Sequence, residues 1–246
     1  MNLQLGAAWA SLVDSPLLGI VLTLGAYQAA RLLWTRSRHH SLANPVLVAI
    51  ATVVVVLLVT GIDYDDYFNG ARYISFLLGP ATVALALPLH RQAPHIRRAA
   101  LPILICVISG AVSAIAVALV VTKALGGSEQ LALTMAPKSA TTPIAIALAQ
   151  SSGGLPALTA VLTVLTGVLG AVAAPRVLSL IRVHDPRVRG FAIGMSSHGI
   201  GTSRAFHESA LTGAFSGLAM ALNALATAIA LPLLLATAPW LLRGFG

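Results

Sequence analysis

Two short stretches of this sequence place ligand-binding residue types inside otherwise apolar surroundings. The first, 137–143 (PKSATTP), sets Lys138 and the hydroxyls of Ser139, Thr141 and Thr142 between two prolines. The second, 196–204 (SSHGIGTSR), sets hydroxyls, an imidazole and a guanidinium among glycines, with Glu208 one helical turn beyond Arg204. Hydroxyls, cations and the free N–H groups of a helix restarting near Thr202 form a donor set for an anion. A small carboxylate is the natural guest. The substrate-binding candidates are therefore Lys138, Ser139, Thr141, Thr142, Ser197, His198, Gly199, Gly201, Thr202 and Arg204. Gly194, Gly199 and Gly201 are expected to supply backbone conformations closed to other residues and to let a ligand or second helix come close. His198 and Glu208 are candidates for a proton carried with the anion, because histidine titrates nearest neutrality and intramembrane carboxylates serve proton relays.

Each of these residues also has a plainer role open to it. Arg204 and Glu208, four apart on a helix, can simply neutralise each other. His198 can be a structural hydrogen bonder, as His207 is more simply read, and Lys138 can reach the interface along its apolar stem. Asn223, in the middle of an apolar run, can glue two helices as easily as touch a substrate. An enzyme is not expected: the sequence has no nucleophile elbow, phosphate-cradling loop or His-Glu-x-x-His pair, and the Gly199–Gly201 segment is too short for a dinucleotide fingerprint. No cofactor and no metal site is anticipated. A lipid-modifying membrane enzyme built on His198, Glu208 and Arg204 ranks third among the function classes.

The elements that must position these residues are set by composition. Of 246 residues 57% are hydrophobic and 9% charged, where a soluble domain carries about 25% charged residues. Mean hydropathy is +0.89. The fold class expected is all-α, a polytopic membrane protein, with apolar stretches near the roughly 20 residues that cross a bilayer at 16–34, 44–62, 72–89, 99–124, 155–175 and 214–240. The net charge of +8 does not indicate a nucleic-acid module, because the cations sit in short gaps between apolar runs. Cys106, the one cysteine, supports neither a disulfide nor a thiolate metal site. No cleavable signal peptide is evident before the first span.

Charge placement gives an orientation. Arg31, Arg36, Arg38, Arg91, Arg97, Arg98, Arg176, Arg182, Arg187 and Arg189 follow alternate spans, whereas Asp14, Asp63, Asp65, Asp66 and Glu129 fall in the other gaps. The positive-inside rule makes the arginine loops cytoplasmic and the amino terminus external. His39, His40, His90, His95 and His184 share the arginine side and read as solvated loop residues. Asp63–Tyr67 reads as a solvated external loop with interfacial tyrosines. A calcium site there lacks the spacing of a binding loop.

This orientation conflicts with a full crossing at 131–149, which would strand Arg176–Arg189 outside. The segment must instead enter, break at Pro137–Thr142 and return to the same face, with its unpaired backbone lining a cavity or buried in protein. The interruption recurs sixty residues on: Met135 matches Met195, Thr142 matches Thr202, and Lys138 stands opposite His198. Each break is followed by a short helix and a long apolar span. One net crossing separates the two units, so they approach from opposite faces, as inverted repeats with broken helices do in secondary transporters. The expected organisation is scaffold and oligomerisation spans at 1–98 and a transport-type bundle at 99–246 holding the paired breaks, 131–149 and 190–208. A homodimer through the scaffold and a lipid bilayer environment are the partners anticipated, with no nucleic acid.

The strings LGPATVALALPL (78–89), APKSATTPIA (136–145), GGLPALTAV (153–161), TGVLGA (166–171), RGFAIGMSSHGIGTSRA (189–205) and GAFSGLAMALN (213–223) resemble the LrgB/CidB family, also called YohK-like. The resemblance runs from residue 23 to the last span, and its two broken motifs are the most specific part. One departure is Ser203, where alanine is expected in many relatives. The resemblance implies a multi-pass bacterial inner-membrane protein, either a carrier of small monocarboxylates or a holin/antiholin-like modulator of murein hydrolase export and cell lysis. Relatives include the plastid glycolate/glycerate translocator and bacterial pyruvate facilitators. It also implies a separate small LrgA-type membrane partner. Two polar helix breaks related by internal repetition favour the carrier, with glycolate, glycerate, pyruvate or lactate-like substrates and alternating access.

Overall fold

A computed structural model describes residues 15–37, 44–77, 80, 83–84, 86–91, 93–238 and 240, with the side chains of 86, 88, 89 and 95 outside that description. Asp14, Arg38, His39 and His40 lie outside the described residues, as does the side chain of His95. All regular structure among the described residues is helical. The chain divides into two compact units at Ala84/Leu85.

The first unit contains α1 (Pro16–Arg36), α2 (Pro45–Thr60) and α3 (Tyr64–Phe76). Proline opens both α1 and α2, where its missing N–H costs no bond. The Asn44 side chain accepts from the N–H groups of Val46 and Leu47 at 2.9 and 3.3 Å, and Gly61, at φ 68°, ends α2. Tyr64–Tyr67 is not a loop but the first turn of α3, where Asp65 and Asp66 complement the helix dipole. The turn is fixed by packing: Tyr67 hydrogen-bonds the Thr23 hydroxyl at 2.9 Å, and Gly19 lies against the Tyr67 carbonyl.

The second unit runs through α4 (Ala86–Arg91), α5 (Ala93–Arg98), α6 (Ala100–Ala124), α7 (Glu129–Met135), α8 (Thr142–Ser152), α9 (Pro156–Leu180), α10 (Pro186–Phe206) and α11 (Ala210–Thr237). Among the described residues, four helices are long and apolar enough to cross a membrane: α1, α6, α9 and α11; α2 is apolar but shorter. The apolar stretch 72–89 falls partly on residues outside the description. The chain is a multi-pass membrane protein.

Two helical hairpins distinguish this unit. In α10 the backbone leaves helical geometry at His198 (φ 39°, ψ −133°). Before that point Gly190 lies on the backbone of Thr212 and Gly194 on that of Ser216, so the chain runs parallel to α11. After it the order reverses: the Thr202 hydroxyl meets Ser216 Oγ at 3.0 Å, and the Phe206 ring covers Gly213. Segments 186–197 and 199–206 are therefore antiparallel limbs, and His198 is their tip. The second limb restarts at Gly199, not near Thr202. The left-handed residue is His198 itself; Gly194 and Gly201 serve close approach instead, Gly194 to Ser216 and Gly201 to Ile193.

The other hairpin is α7, an irregular segment at 136–141, and α8. Its return is shown by Thr134, at the end of α7. The Leu155 N–H donates to Thr134 Oγ1 at 2.9 Å, the Thr159 hydroxyl donates to the Thr134 carbonyl at 3.0 Å, and Gly154 packs on the same backbone. The chain thus comes back to the level it left, in the place where sequence reasoning requires a re-entrant segment.

The two hairpins reach α9 from opposite ends. The first meets its amino-terminal turn at Leu155–Thr159. The second is anchored at the other end, where Arg189 donates to the carbonyls of Pro175 and Val183 at 3.3 and 3.0 Å, and extends back until His198 reaches Thr163 and Gly167 near the helix middle. With 25 residues, α9 is about 37 Å long, enough to span a hydrocarbon core of about 30 Å.

Candidate functional site

The tips of both hairpins converge on one side chain. Asn223 lies at the middle of α11 and is 1% exposed. Its Nδ2 donates to the Ser139 carbonyl at 2.7 Å, in the first hairpin's break, and to the Met195 carbonyl at 3.2 Å, in the last turn before the second tip. Both partners are carbonyl oxygens, which only accept, so the amide can stand only this way round. A second contact crosses between the repeats: the His198 Nε2–H donates to the Thr163 carbonyl at 2.8 Å. Sixty residues separate Thr163 from Asn223 and Lys138 from His198. Each repeat's long helix therefore grips the other repeat's break near its middle.

Glycines let this happen. A Cβ at Gly167 would run into the His198 imidazole, and one at Gly170 into the Ser197 hydroxyl. The remaining polar groups of the second tip satisfy one another: Thr202 Oγ1 donates to the His198 carbonyl at 2.8 Å and pairs with Ser216, and Ser197 Oγ pairs with Ser196 Oγ at 3.1 Å. Ser139, Ser197, His198, Gly201 and Thr202 are buried at this centre, and Gly199 is exposed. Lys138, Thr141 and Thr142 are half-buried in or beside the first break. Thr141 caps α8 by position but makes no side-chain cap bond, so the first-turn N–H groups of α8 remain open to an acceptor. Arg204 sits on the returning limb, half-buried, between Thr202 and Phe206.

Glu208 has a different partner from the one its spacing suggests. It is held by Arg189, Nε to Oε2 at 2.9 Å and an Nη to Oε1 at 3.1 Å, with side-chain exposures of 13% and 17%. Arg189 also donates to the Ser179 hydroxyl at 3.2 Å. Arg189 opens the second hairpin and Glu208 closes it, so the pair staples the hairpin's base to the end of α9. The long side of α10 brings them together; a four-residue helical register could not reveal this. Glu208 therefore sits in an ion pair with Arg189 at the hairpin's base, away from the tip.

Just before that base, Asp185 caps α10: its carboxylate accepts from the Arg187 N–H at 2.8 Å and from the Arg187 guanidinium. The Arg187 side chain, then its backbone N–H, hold the Asp185 carboxyl down to about 2. A cleft of about 230 Å³ opens beside it, lined by Pro102, Ile103, Cys106, Phe191 and Phe215. A second, apolar cleft of about 430 Å³ lies between α6 and α11. Neither is at the tips. Among the described residues no group of three or more His, Cys, Asp or Glu could hold a metal ion. His184 is exposed in the loop before α10, whereas His90, also exposed, lies in the last turn of α4 rather than in a loop.

Sequence reasoning did not single out Thr163, Gly167, Gly170, Met195, Ser216 or Arg189 as site residues. The sixty-residue offset, extended past the breaks, would have paired Thr163 with Asn223, the two polar residues facing the tips from the long helices.

The LrgB-like family matches residues 23–237 of the chain. The chain belongs to this family. Among its LrgB-like relatives, the uncharacterized protein YwbG of Bacillus subtilis (strain 168) is 36% identical over 219 residues, 89% of this chain and 97% of the relative. The antiholin-like protein LrgB of Bacillus mycoides (strain KBAB4) is 30% identical over 219 residues, 89% of this chain and 95% of the relative, and that of Bacillus cereus (strain B4264) matches equally. No solved structure matches. The matched span of the LrgB-like family includes both hairpins and both long helices.

Proposed function

We propose that this LrgB-like protein is a carrier of small monocarboxylates that works by alternating access in the bacterial inner membrane, with its amino terminus outside. The observation that supports it is the meeting of two opposed hairpins at Asn223. Broken helices from opposite faces that meet near the bilayer centre expose backbone and hydroxyls to a ligand there without opening a continuous pore. A lesion-forming protein needs no such construction. Lys138 from one repeat and Arg204 from the other supply positive charge, and the open N–H groups of α8 with the hydroxyls of Thr141 and Thr142 supply donors. Ser197 and Thr202, whose hydroxyl hydrogens are given to neighbours inside the tip, would have to exchange those bonds to reach a ligand. In this reading the second unit moves with the substrate, and the first forms the scaffold and the homodimer contact.

The names of the relatives favour a second reading more directly. Antiholin-like proteins modulate murein hydrolase export and lysis, and a separate small LrgA-type partner would belong to that function. The two readings separate in proteoliposomes loaded with the purified protein. The carrier predicts saturable uptake of glycolate, lactate or pyruvate with retention of large dyes, reduced at least about tenfold in Lys138→Ala and Arg204→Ala by loss of charge-assisted bonds. Dye release without saturable uptake establishes a lesion instead. Uptake indifferent to both substitutions removes the site assignment.

A further inference from the structure

Many hydroxyls inside the described helices bond back to the carbonyl four residues earlier, among them Thr52, Thr134, Thr166, Ser196, Thr202 and Thr237. Thr163 does not. It is 0% exposed, and its Oγ1 has no protein partner among the described residues. One other fully buried side-chain atom shares that condition, Oδ1 of Asn223. These are the repeat-equivalent residues that hold the two hairpin tips. A buried polar atom without a partner is costly, and such groups in native proteins mark bound ions, waters or functional sites.

The chemistry of the two atoms narrows the ligand. Both Asn223 N–H bonds are committed to carbonyls, so Oδ1 is a fixed acceptor facing away from them. On the Nδ2 side of the same amide, the Ser139 and Met195 carbonyls each keep a second lone pair. The first limb of the second hairpin ends at this tip, so its last carbonyls point their negative dipole ends inward. The surroundings are therefore rich in neutral oxygen acceptors. Divalent cations are held through carboxylates, and no acidic cluster is present among the described residues. Neutral oxygens with half-helix carbonyl ends suit a dehydrated monovalent cation of sodium size.

We propose that Asn223 Oδ1 and Thr163 Oγ1 are side-chain ligands of a sodium ion bound where the hairpin tips meet. That this ion drives anion movement rests on the carrier reading; its binding does not.

The test is thermal unfolding of the purified full-length protein in sodium, potassium or choline chloride at constant ionic strength, with radioactive sodium binding in parallel. Wild type should show a saturable rise in Tm specific to sodium. Thr163→Val keeps the side-chain shape and removes only the unpartnered hydroxyl. It should unfold in choline at or above the wild-type temperature, yet lose the sodium-induced rise and bind sodium at least about tenfold more weakly. A wild type indifferent to sodium overturns the proposal. So does a Thr163→Val protein equally destabilised in all three salts, which identifies a structural hydroxyl or an ordered water. Anion uptake without sodium binding refutes the ion site and leaves the carrier standing. Sodium binding without any anion uptake does the reverse.

Discussion

The amide of Asn223 donates to the carbonyl of Ser139 at 2.7 Å across 84 residues of sequence, and with its second hydrogen to Met195 at 3.2 Å. One side chain at the centre of α11 thereby ties the breaks of both hairpins together. Asn223→Leu fills a similar volume but leaves two carbonyls without a donor, one of them buried. It should destabilise the protein by about 1–3 kcal/mol, the cost of the one buried acceptor abandoned. Thermal unfolding in detergent checks this; a loss below about 0.5 kcal/mol would show that the tips meet without this tether.

Arg189 and Glu208 should behave as a coupled pair. Removing one partner of a largely buried, bidentate ion pair leaves an uncompensated charge. Arg189→Met and Glu208→Gln are each expected to cost about 2–4 kcal/mol, and the double variant less than the sum. Arg204→Ala, although four residues from Glu208, should cost well under about 1 kcal/mol. A double-mutant cycle measures the coupling, and additive losses would contradict the staple.

Strain at the second tip predicts opposite outcomes for two neighbouring changes. His198 adopts φ 39°, ψ −133°, which glycine enters freely and other residues do not. His198→Gly relieves the backbone but deletes the bond to Thr163, so the fold should survive with a change of stability within about 1–2 kcal/mol. Gly167→Ala places a methyl where the imidazole stands, and should displace the ring at a cost of about 1–3 kcal/mol. Unfolding midpoints of the two variants test the ordering. Gly167→Ala with wild-type stability would mean that the ring does not occupy this place.

The Asp185 carboxyl, held at about 2 by Arg187, titrates below its ordinary value near 3.8. A carboxyl lowered in the folded state stabilises fully above its unfolded value and loses that contribution as pH falls through its folded value. The Asp185 contribution should therefore be constant above about pH 5 and fade between about pH 4 and 2. Asp185→Asn should flatten the melting temperature in that window alone. An unchanged slope would show that the cap titrates normally.

Much of this architecture is legible in the sequence because membranes penalise unpaired backbone. A proline-bracketed polar run with an arginine loop on the wrong side for a crossing left re-entry as the economical path for 131–149. The repeat at sixty residues then placed the second break. Other features lay beyond sequence patterns. The positive-φ residue at the tip is His198, although three glycines stand nearby, because packing against Gly167 and the bond to Thr163 stabilise a strained histidine in a way no local propensity reports. Glu208 pairs with Arg189 rather than Arg204 because the hairpin's closure, not the helix register, brings them together. Tyr64–Tyr67 is helical because Tyr67 has a half-buried hydrogen-bond partner in α1, Thr23, a contact that local polarity cannot show.

The account rests on the hairpins entering from opposite faces, and labelling tests that most directly. In a Cys106→Ser background, single cysteines at Gln150, near the base of the first hairpin, and at His184, beside the base of the second, are exposed to a membrane-impermeant maleimide in right-side-out and inverted vesicles. Both positions are exposed in the structure. The prediction is labelling of residue 150 in right-side-out vesicles only and of residue 184 in inverted vesicles only. Labelling of both from the same side would contradict the inverted-repeat architecture and the carrier built on it.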